Sequence, residues 1–288
     1  MTLARLTDLL AAADRAGGAL GAFNVFSIEH AEALVAGAEK AGAPVVLQIS
    51  QNAVRYHGAL APIGLATLAI GRATGVEVVV HLDHCTQEEL VAEAVELGFG
   101  SVMFDASALS YADNVAATAR VVQYCHARGV EVEAELGEVG GKDGVHAPGA
   151  RTRPTEAAEF ATATGVDALA VAVGSSHAMT ERSALLDLDR IADLHAAVPV
   201  PLVLHGSSGV PDEEIVRAVR AGMRKINIAT HLNKVFTDVV RSLLAADPAL
   251  VDTRKYLGPA RDAVAEEVAR LLGLLAGAGG NGPVTGSR

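Results

Sequence analysis

Three segments of the sequence carry a histidine at or near the end of a short apolar run. His-Leu-Asp-His ends at His84, Ala-Val-Gly-Ser-Ser-His ends at His177, and Leu-His-Gly-Ser-Ser-Gly contains His205. Three imidazoles from separate strands suit a catalytic zinc ion, which takes three protein ligands and keeps one position open for substrate. His81 competes with His84 for this role, because alternation along a strand places His81 and Asp83 on one face and His84 at the turn.

Two acidic residues extend this candidate metal site. Asp105 and Glu135 stand at the ends of two further apolar runs. Carboxylates in such positions orient the imidazoles of a metal site or act as alternative oxygen ligands. A structural role, in which each carboxylate accepts backbone N–H groups, is equally compatible with the sequence.

A second set of residues suggests phosphate binding. Gly206-Ser207-Ser208-Gly209 and Asn227-Ile228-Ala229-Thr230 follow the last two apolar runs. Small residues and free backbone N–H groups at these positions often hold phosphate in barrel enzymes. A Gly-Ser run alone is more often a flexible turn, but its position beside a candidate metal ligand favours phosphate.

The apolar runs themselves predict eight strands, each followed by a polar corner. They span 21–25, 45–49, 76–82, 101–104, 130–136, 168–173, 201–204 and 225–228. Amphipathic helices are predicted between them, for example 212–221 and 86–97, where Thr86 and Glu89 form a capping-box pattern and Gly98 provides a stop. Strands that alternate with helices predict an α/β fold, and eight units predict a single-domain (β/α)₈ TIM barrel. An open, doubly wound sheet is the alternative.

The barrel hypothesis requires polar residues at the carboxyl ends of the strands, where barrel enzymes hold their active sites. Each such residue alone is commonly a helix cap or a hydrogen-bonded packing residue. Their coincidence at eight strand ends favours a catalytic face. The residues concerned are Asn24, Ser50, Asp83 with His84, Asp105, Glu135, His177, His205 and Asn227.

Composition limits the function classes. The 288 residues are 50% hydrophobic with no composition shift, so we expect one barrel domain over 1–275 and a disordered, glycine-rich tail over 276–288. A net charge of −11 argues against a nucleic-acid partner. No apolar stretch reaches the roughly 18 residues of a membrane span and no signal-peptide core is present, so we expect no membrane partner and a cytoplasmic protein. Cys85 and Cys125 are predicted to be packing residues.

In combination, the motifs resemble one known family. His-Leu-Asp-His, Glu-Leu-Gly before a Gly-Gly loop, Ala-Val-Gly-Ser-Ser-His, Leu-His-Gly-Ser-Ser-Gly and Lys-Ile-Asn-Ile-Ala-Thr look like the class II, zinc-dependent ketose-bisphosphate aldolases, including the fructose- and tagatose-bisphosphate aldolases. The motifs occur in the family's order from about Leu6 to about Leu272. The resemblance implies reversible cleavage of a ketose 1,6-bisphosphate into dihydroxyacetone phosphate and an aldehyde such as glyceraldehyde 3-phosphate.

The resemblance also implies roles for individual residues. Asp83 matches the acid/base at the C4 oxygen, and His84, His177 and His205 match the ligands of one zinc ion, which leaves His81 as a neighbour. A monovalent cation is compatible with the family. Asp105 and Glu135 match acidic positions near the metal. The implied substrate-binding residues are Asn24, Ser50, Ala178, Gly206, Ser207, Ser208, Asn227, Ile228, Ala229, Thr230 and Arg254.

Arg254 has a consequence for assembly. It resembles an arginine that reaches a neighbouring subunit and holds the second phosphate of the substrate. A residue that acts across an interface requires at least a dimer, so we expect a homodimer or a homotetramer.

The sequence departs from the family pattern at three places. Cys85 and Ala178 stand where the family usually has glycine, and the Ala178 methyl lies at a backbone that approaches phosphate. The segment 137–154 is predicted to be a mobile active-site loop. Within it, 140–144 is shorter than the usual Gly-Gly-Glu-Glu stretch, whose glutamate moves the C3 proton of dihydroxyacetone phosphate. Asp143 is predicted to replace that glutamate, with Glu138 as the alternative.

Chemistry favours a metal over a lysine as the electron sink. Retro-aldol cleavage leaves charge beside a ketone, and zinc or a lysine Schiff base can accept it. None of the lysines ends a predicted strand, and Lys225 opens one. Three alternatives stay open: another phosphorylated keto-sugar or keto-acid as substrate, a metal-dependent hydrolase on the same barrel, and a non-catalytic, aldolase-like subunit.

Overall fold

Eight parallel strands form a closed barrel, which confirms the predicted (β/α)₈ architecture. Each strand pairs with the next along the chain, and β1 pairs with β8, so the open doubly wound sheet is excluded. The computed structural model describes residues 3–137, 151–177, 179 and 181–279. The strands are β1 (Leu20–Asn24), β2 (Val45–Ser50), β3 (Val78–Cys85), β4 (Ser101–Phe104), β5 (Glu131–Leu136), β6 (Ala168–Val171), β7 (Leu202–Leu204) and β8 (Met223–Ile228).

Helices surround the barrel and cover its outer face. Because both faces of each strand are buried, the strands are mostly continuous apolar runs. In the described part of the chain the helices are α1 (Leu6–Arg15), α2 (Ile28–Ala41), α3 (Gln51–His57), α4 (Leu60–Ala73), α5 (Glu88–Leu97), α6 (Tyr111–His126), α7 (Pro154–Thr164), α8 (Leu188–Ala197), α9 (Asp212–Ala221), α10 (Thr230–Ala246) and α11 (Arg254–Gly277).

Helix α1 closes the amino-terminal mouth of the barrel. Its Leu6, Leu9 and Leu10 side chains pack against inward-facing residues of the strands. Glu131, at the start of β5, accepts hydrogen bonds from the Leu6 N–H and the Thr7 hydroxyl. The carboxylate thereby satisfies a backbone donor at the helix start that no helical carbonyl can reach. This mouth is plugged, so the opposite mouth is the one open to chemistry.

The last helix, α11, packs against α2 and α10 on the outside of the barrel. Gly37 in α2 permits this close approach. A Cβ at Gly37 would lie 2.6 Å from the Ala265 carbonyl oxygen and 2.7 Å from the Val268 Cβ. The small residue therefore sets the distance between the two helices.

The start of α5 differs from its prediction. The helix begins at Glu88, and the capping box at Thr86 is wrong, because Gln87 holds the N-cap position and makes no side-chain cap. Thr86 bonds to Gln51 instead of capping the helix: its N–H donates to Gln51 Oε1 at 2.8 Å. Gly98 ends the helix in a left-handed conformation, as predicted.

The predicted tail, 276–288, and the predicted loop, 137–154, lie only partly within the described residues. Helix α11 reaches Gly277, slightly into the segment predicted as a tail, and residues 280–288 and most of the predicted loop lie outside the described residues.

No helix in the described ranges is both long and apolar enough to span a bilayer. Cys85 and Cys125 are buried, and burial raises the pKa of Cys85 to about 11 and that of Cys125 to about 12.

Candidate active site

A cavity of about 370 Å³ opens at the carboxyl ends of the strands, the face on which the sequence predicts an active site. Its size is typical of a small-molecule site. Most of its wall comes from strand ends and the first residues after them. The lining residues are Asn24, Phe26, Gln48, Ser50, Gln51, Asn52, Arg55, Asp83, His84, Thr86, Asp105, His177, His205, Gly206, Ser208, Asn227, Ala229 and Thr230.

The end of β3 breaks the regular alternation of side chains at His84. Its φ is 49°, the one left-handed non-glycine conformation in the described residues. The pairing register between β3 and β4 shifts at the same place, which is a β-bulge. The bulge lets Asp83 and His84 line the same cavity, whereas His81 is fully buried with its Nδ1 2.9 Å from Ser101 Oγ. Burial, with help from Lys225, lowers the pKa of His81 to about 3.

The three predicted zinc ligands come together at this mouth. His84 Nε2 lies 2.8 Å from His205 Nδ1. The ring centroids are 4.5 Å apart for His84 and His205, and 4.9 Å apart for His84 and His177. Each of the three rings offers a nitrogen within 4.8 Å of the other two. Three imidazoles that converge from separate strands are a donor set that fits zinc.

The predicted acidic residues lie on the other side of His84. Asp105 Oδ2 is 3.6 Å from His84 Nδ1, and Asp105 and Glu135 offer oxygens within 4.8 Å of His84. The Ser107 hydroxyl bonds to both carboxylates, at 2.6 Å from Asp105 Oδ1 and 3.4 Å from Glu135 Oε1. His84 thus turns one nitrogen to the histidines and the other to a carboxylate. This geometry favours an orienting role for Asp105.

Asp83 is held by a chain of amides at the cavity floor. Its Oδ2 accepts a hydrogen bond from Asn24 Nδ2 at 3.3 Å, and Asn24 Oδ1 accepts one from Gln48 Nε2 at 2.7 Å. Burial alone raises the pKa of Asp83, but the neighbouring imidazoles and Lys225 outweigh it, so the pKa lies below its ordinary value. The carboxylate is therefore ionised at neutral pH and fixed in direction.

The loops after β7 and β8 form the predicted phosphate side. Gly206 has a φ of 68°, and a Cβ there would lie 2.7 Å from the Ser176 carbonyl carbon, so a larger residue would displace backbone. Ser208 Oγ accepts the Ala229 N–H at 3.1 Å, which ties the two loops together. Thr230 begins α10, whose N-terminus points positive backbone dipoles at this region.

Three other residues that were predicted to bind substrate lie in or next to the segments that line the cavity. Ser50 lines the cavity and caps α3, where its hydroxyl accepts the Ala53 N–H. Ser207 and Ile228 are buried and do not line the cavity. Ser207 instead donates to the Leu204 carbonyl.

Arg254 is not among the residues that line the described cavity. Arg254 begins α11 on the surface, where it pairs with Asp252 at 3.0 Å. Ala178, Glu138 and Asp143 lie outside the described residues. The predicted replacement of the loop glutamate by Asp143 therefore stays a prediction.

One strand holds functional candidates that the sequence analysis missed. Strand β5 presents Glu131, Glu133 and Glu135 at alternate positions, and only Glu135 was predicted. Glu133 is fully buried between His205 and Lys225. The alternating Glu-Val-Glu-Ala-Glu in a buried strand was the signal, since such glutamates need partners inside the barrel.

Arg55 on α3 was also missed. It is the one arginine or lysine among the cavity-lining residues that the structure describes. Its Nη1 donates to Asn52 Oδ1 at 2.9 Å. A lone basic residue on an exposed helix carries no sequence signal for a site.

Residues 4–280 match the protein family described as class-II fructose-bisphosphate aldolase. This chain belongs to that family. It is 41% identical over 268 residues to the fructose-bisphosphate aldolase of Geobacillus stearothermophilus, over 92% of this chain and 93% of the relative. It is 40% identical over 272 residues to the probable fructose-bisphosphate aldolase of Bacillus subtilis, over 93% and 95%. The solved YdjI aldolase from Escherichia coli K12 has a TM-score of 0.84 and 30% identity, over 95% and 97%.

Membership of the class-II aldolase family confirms the resemblance and the enzyme class, since this family consists of lyases. The family is generally metal dependent. The histidine cluster at the barrel mouth fits that property, because its three nitrogens are close enough to share one ion.

Proposed function

We propose that this chain is a zinc-dependent aldolase that reversibly cleaves a ketose 1,6-bisphosphate of the fructose or tagatose type into dihydroxyacetone phosphate and an aldehyde. One observation carries the proposal. Three histidine nitrogens lie within 4.8 Å of one another, next to the buried carboxylate of Asp83, in the cavity at the carboxyl ends of the strands. His84, His177 and His205 would hold the ion, which supplies a Lewis acid for the charge that develops on the substrate carbonyl.

Asp83 performs the proton transfer at C4 in this proposal. In cleavage it takes the proton of the C4 hydroxyl, and in condensation it returns the proton to the aldehyde oxygen. The amides of Asn24 and Gln48 fix its direction, and its lowered pKa keeps it ionised, the form that can accept a proton. Asp105 and Glu135 orient His84 from the far side.

The two phosphates of the substrate bind at separate places in this proposal. The phosphate of the dihydroxyacetone half binds at Gly206, Ser208 and the start of α10, where backbone dipoles favour an anion. The second phosphate needs a cation, and Arg254 of a neighbouring subunit and Arg55 of the same chain are the two candidates. Separate Arg→Met variants distinguish them, because loss of the true partner raises KM for the bisphosphate much more than for a monophosphate.

Asp143 is proposed to move the C3 proton. Asp143→Ala should slow exchange of that proton of dihydroxyacetone phosphate with solvent, while zinc content and phosphate affinity stay nearly unchanged. Unchanged exchange in this variant, with exchange lost in Glu138→Ala, would assign the role to Glu138.

The decisive experiment measures bound zinc and cleavage rates on the purified protein with fructose and tagatose bisphosphates and other phosphorylated keto-sugars and keto-acids. His84→Ala, His177→Ala and His205→Ala should each lose zinc and activity while the barrel stays folded. His126→Ala is the matched control, because this histidine lies at the end of α6 and pairs with Asp167. Zinc retained in all three site variants would refute the ligand assignment.

The same panel separates the alternative functions. Zinc binding without cleavage of any of these compounds would point to a metal-dependent hydrolase or a non-catalytic subunit. Cleavage of another keto-sugar phosphate alone would keep the aldolase and change its substrate. Assembly as a homodimer or homotetramer and a cytoplasmic location stay predictions.

A further inference from the structure

The middle of the barrel contains a buried ionic network directly below the candidate zinc site. Glu133 and Lys225 are both fully buried, and Glu133 Oε2 lies 2.8 Å from Lys225 Nζ. The other carboxylate oxygen, Oε1, lies 2.8 Å from His205 Nε2. Buried charges are costly even when they are paired. We therefore expect this ion pair to have a role beyond packing.

The network dictates which nitrogen of His205 carries its proton. An ionised carboxylate only accepts hydrogen bonds, so His205 Nε2 must donate to Glu133. The neutral ring then has its lone pair on Nδ1. That is the nitrogen 2.8 Å from His84 Nε2, on the side of the three-histidine cluster.

We propose that Glu133 and Lys225 are positioning residues that hold His205 in the metal-binding tautomer and orientation. The inference rests on the proposed function, because it takes His205 as a zinc ligand. Glu133 orients the ring, and Lys225 pairs with the other carboxylate oxygen, so that the buried carboxylate is not left without a counter-charge. Partners of this kind typically contribute about 10- to 100-fold to metal affinity.

Glu133→Gln tests the proposal, because the amide has one oxygen instead of two. Lys225 can only donate, so it takes that oxygen, and the amide NH₂ then faces His205 Nε2. This pairing favours the tautomer with its proton on Nδ1, the ligand nitrogen. Zinc affinity, measured by competition with a chromogenic chelator, should fall by about 10- to 100-fold.

A second substitution should reverse the effect. In the double variant Glu133→Gln with Lys225→Met, no lysine competes for the amide oxygen, which can accept from His205 Nε2 again. Zinc affinity should recover most of the loss. A purely structural ion pair gives no such recovery, so wild-type affinity in Glu133→Gln, or a double variant as weak as the single one, overturns the proposal.

Glu131→Gln is the matched control. Glu131 lies two residues before Glu133 on the same strand, is also buried, and bonds to the start of α1 instead of to His205. This variant should lower the stability of the zinc-free protein and leave zinc affinity unchanged. A loss of zinc affinity equal to that of Glu133→Gln would mean that any buried change in β5 has the effect, and would overturn the proposal.

A folding failure of Glu133→Gln leaves a decisive comparison. The double variants Glu133→Gln/Lys225→Met and Glu133→Met/Lys225→Met both leave no unpaired buried charge, and only the first keeps an acceptor at the position of the Glu133 carboxylate. The first should bind zinc at least about tenfold tighter. Equal affinities overturn the proposal. These titrations contain no sugar, so normal zinc results without ketose cleavage would refute only the proposed reaction.

Discussion

At the scale of single residues, the backbone of His84 is the feature most directly linked to the proposed chemistry. A left-handed conformation costs an L-residue roughly 1–2 kcal/mol, and functional sites are where such strain is found. At His84 the strain accompanies the bulge that lets two consecutive residues line one cavity. The strained backbone therefore lets the proposed base, Asp83, and the proposed metal ligand, His84, line the cavity from adjacent positions.

This strain has a measurable consequence. In zinc-free protein, His84→Gly should be more stable to urea than His84→Ala by about 1 kcal/mol, because glycine adopts the left-handed conformation without penalty. The same pair at His126, the last residue of α6, should show the opposite order, since glycine is unfavourable in a helix. Equal stabilities of the two His84 variants would show that no strain is stored there.

Asp83 carries the proposed proton transfer. Asp83→Asn keeps the size of the side chain and an oxygen for Asn24, so zinc and substrate binding should persist. An amide cannot exchange a proton with the C4 oxygen, and loss of a positioned acid/base lowers turnover by about 10²- to 10⁴-fold. Cleavage rates and zinc content, measured on one preparation, check this. Near-normal turnover would remove Asp83 from the mechanism.

At the scale of elements, the sequence predicted all eight strands but not how β3 ends. Apolar runs identify buried strands because both faces of a parallel sheet are covered. Alternation could not choose between His81 and His84, because a bulge and a left-handed residue change the side-chain direction after Asp83. The family resemblance implied that His84 is the site residue. His84 lines the cavity, and His81 does not.

Contacts between elements were the least predictable feature. The capping box at Thr86 failed because Gln51, far away in sequence, bonds the Thr86 backbone. Glu133 and Lys225 lie 92 positions apart, and only the closed barrel brings them together. Local patterns cannot report such pairs, since each joins residues that lie on, or directly after, two different strands of the closed barrel.

The close packing of α2 on α11 predicts that a larger residue at Gly37 destabilises the fold. Gly37→Ala would place a Cβ 2.6 Å from the Ala265 carbonyl oxygen, so the helices must move apart. Overpacking of this kind typically costs about 1–3 kcal/mol in the free energy of unfolding, which urea denaturation measures. Gly273→Ala in α11 is the control: nothing lies within 4 Å of its Cβ position, so it should not destabilise. Equal effects of both changes would contradict the tight contact.

At the scale of the whole molecule, one ionic network joins the helices that follow the last strands. Glu267 in α11 bonds to Arg270 and to His231 of α10, at 2.7 and 2.6 Å, and Arg270 also pairs with Asp212 at the start of α9. Burial raises the pKa of Glu267, but the bonds from Arg270 and His231 outweigh it and hold that pKa at about 2. The network thus makes the packing of three helices sensitive to acid.

The sign of this sensitivity follows from the lowered pKa. A carboxyl group with a depressed native pKa stabilises the fold above its unfolded value, here 4.5, and that stabilisation is lost as the pH falls toward about 2. Glu267→Gln should therefore lower the free energy of unfolding at pH 7 by on the order of 1 kcal/mol after solvent screening, and by progressively less below about pH 4.5. Urea midpoints of both proteins between pH 3 and 7 measure the difference.

Glu266→Gln is the control. It removes only an exposed pair with Lys40 and should change the free energy of unfolding little at any pH. A Glu267→Gln difference that stays constant across this range would show that the carboxylate charge does not hold the helices together.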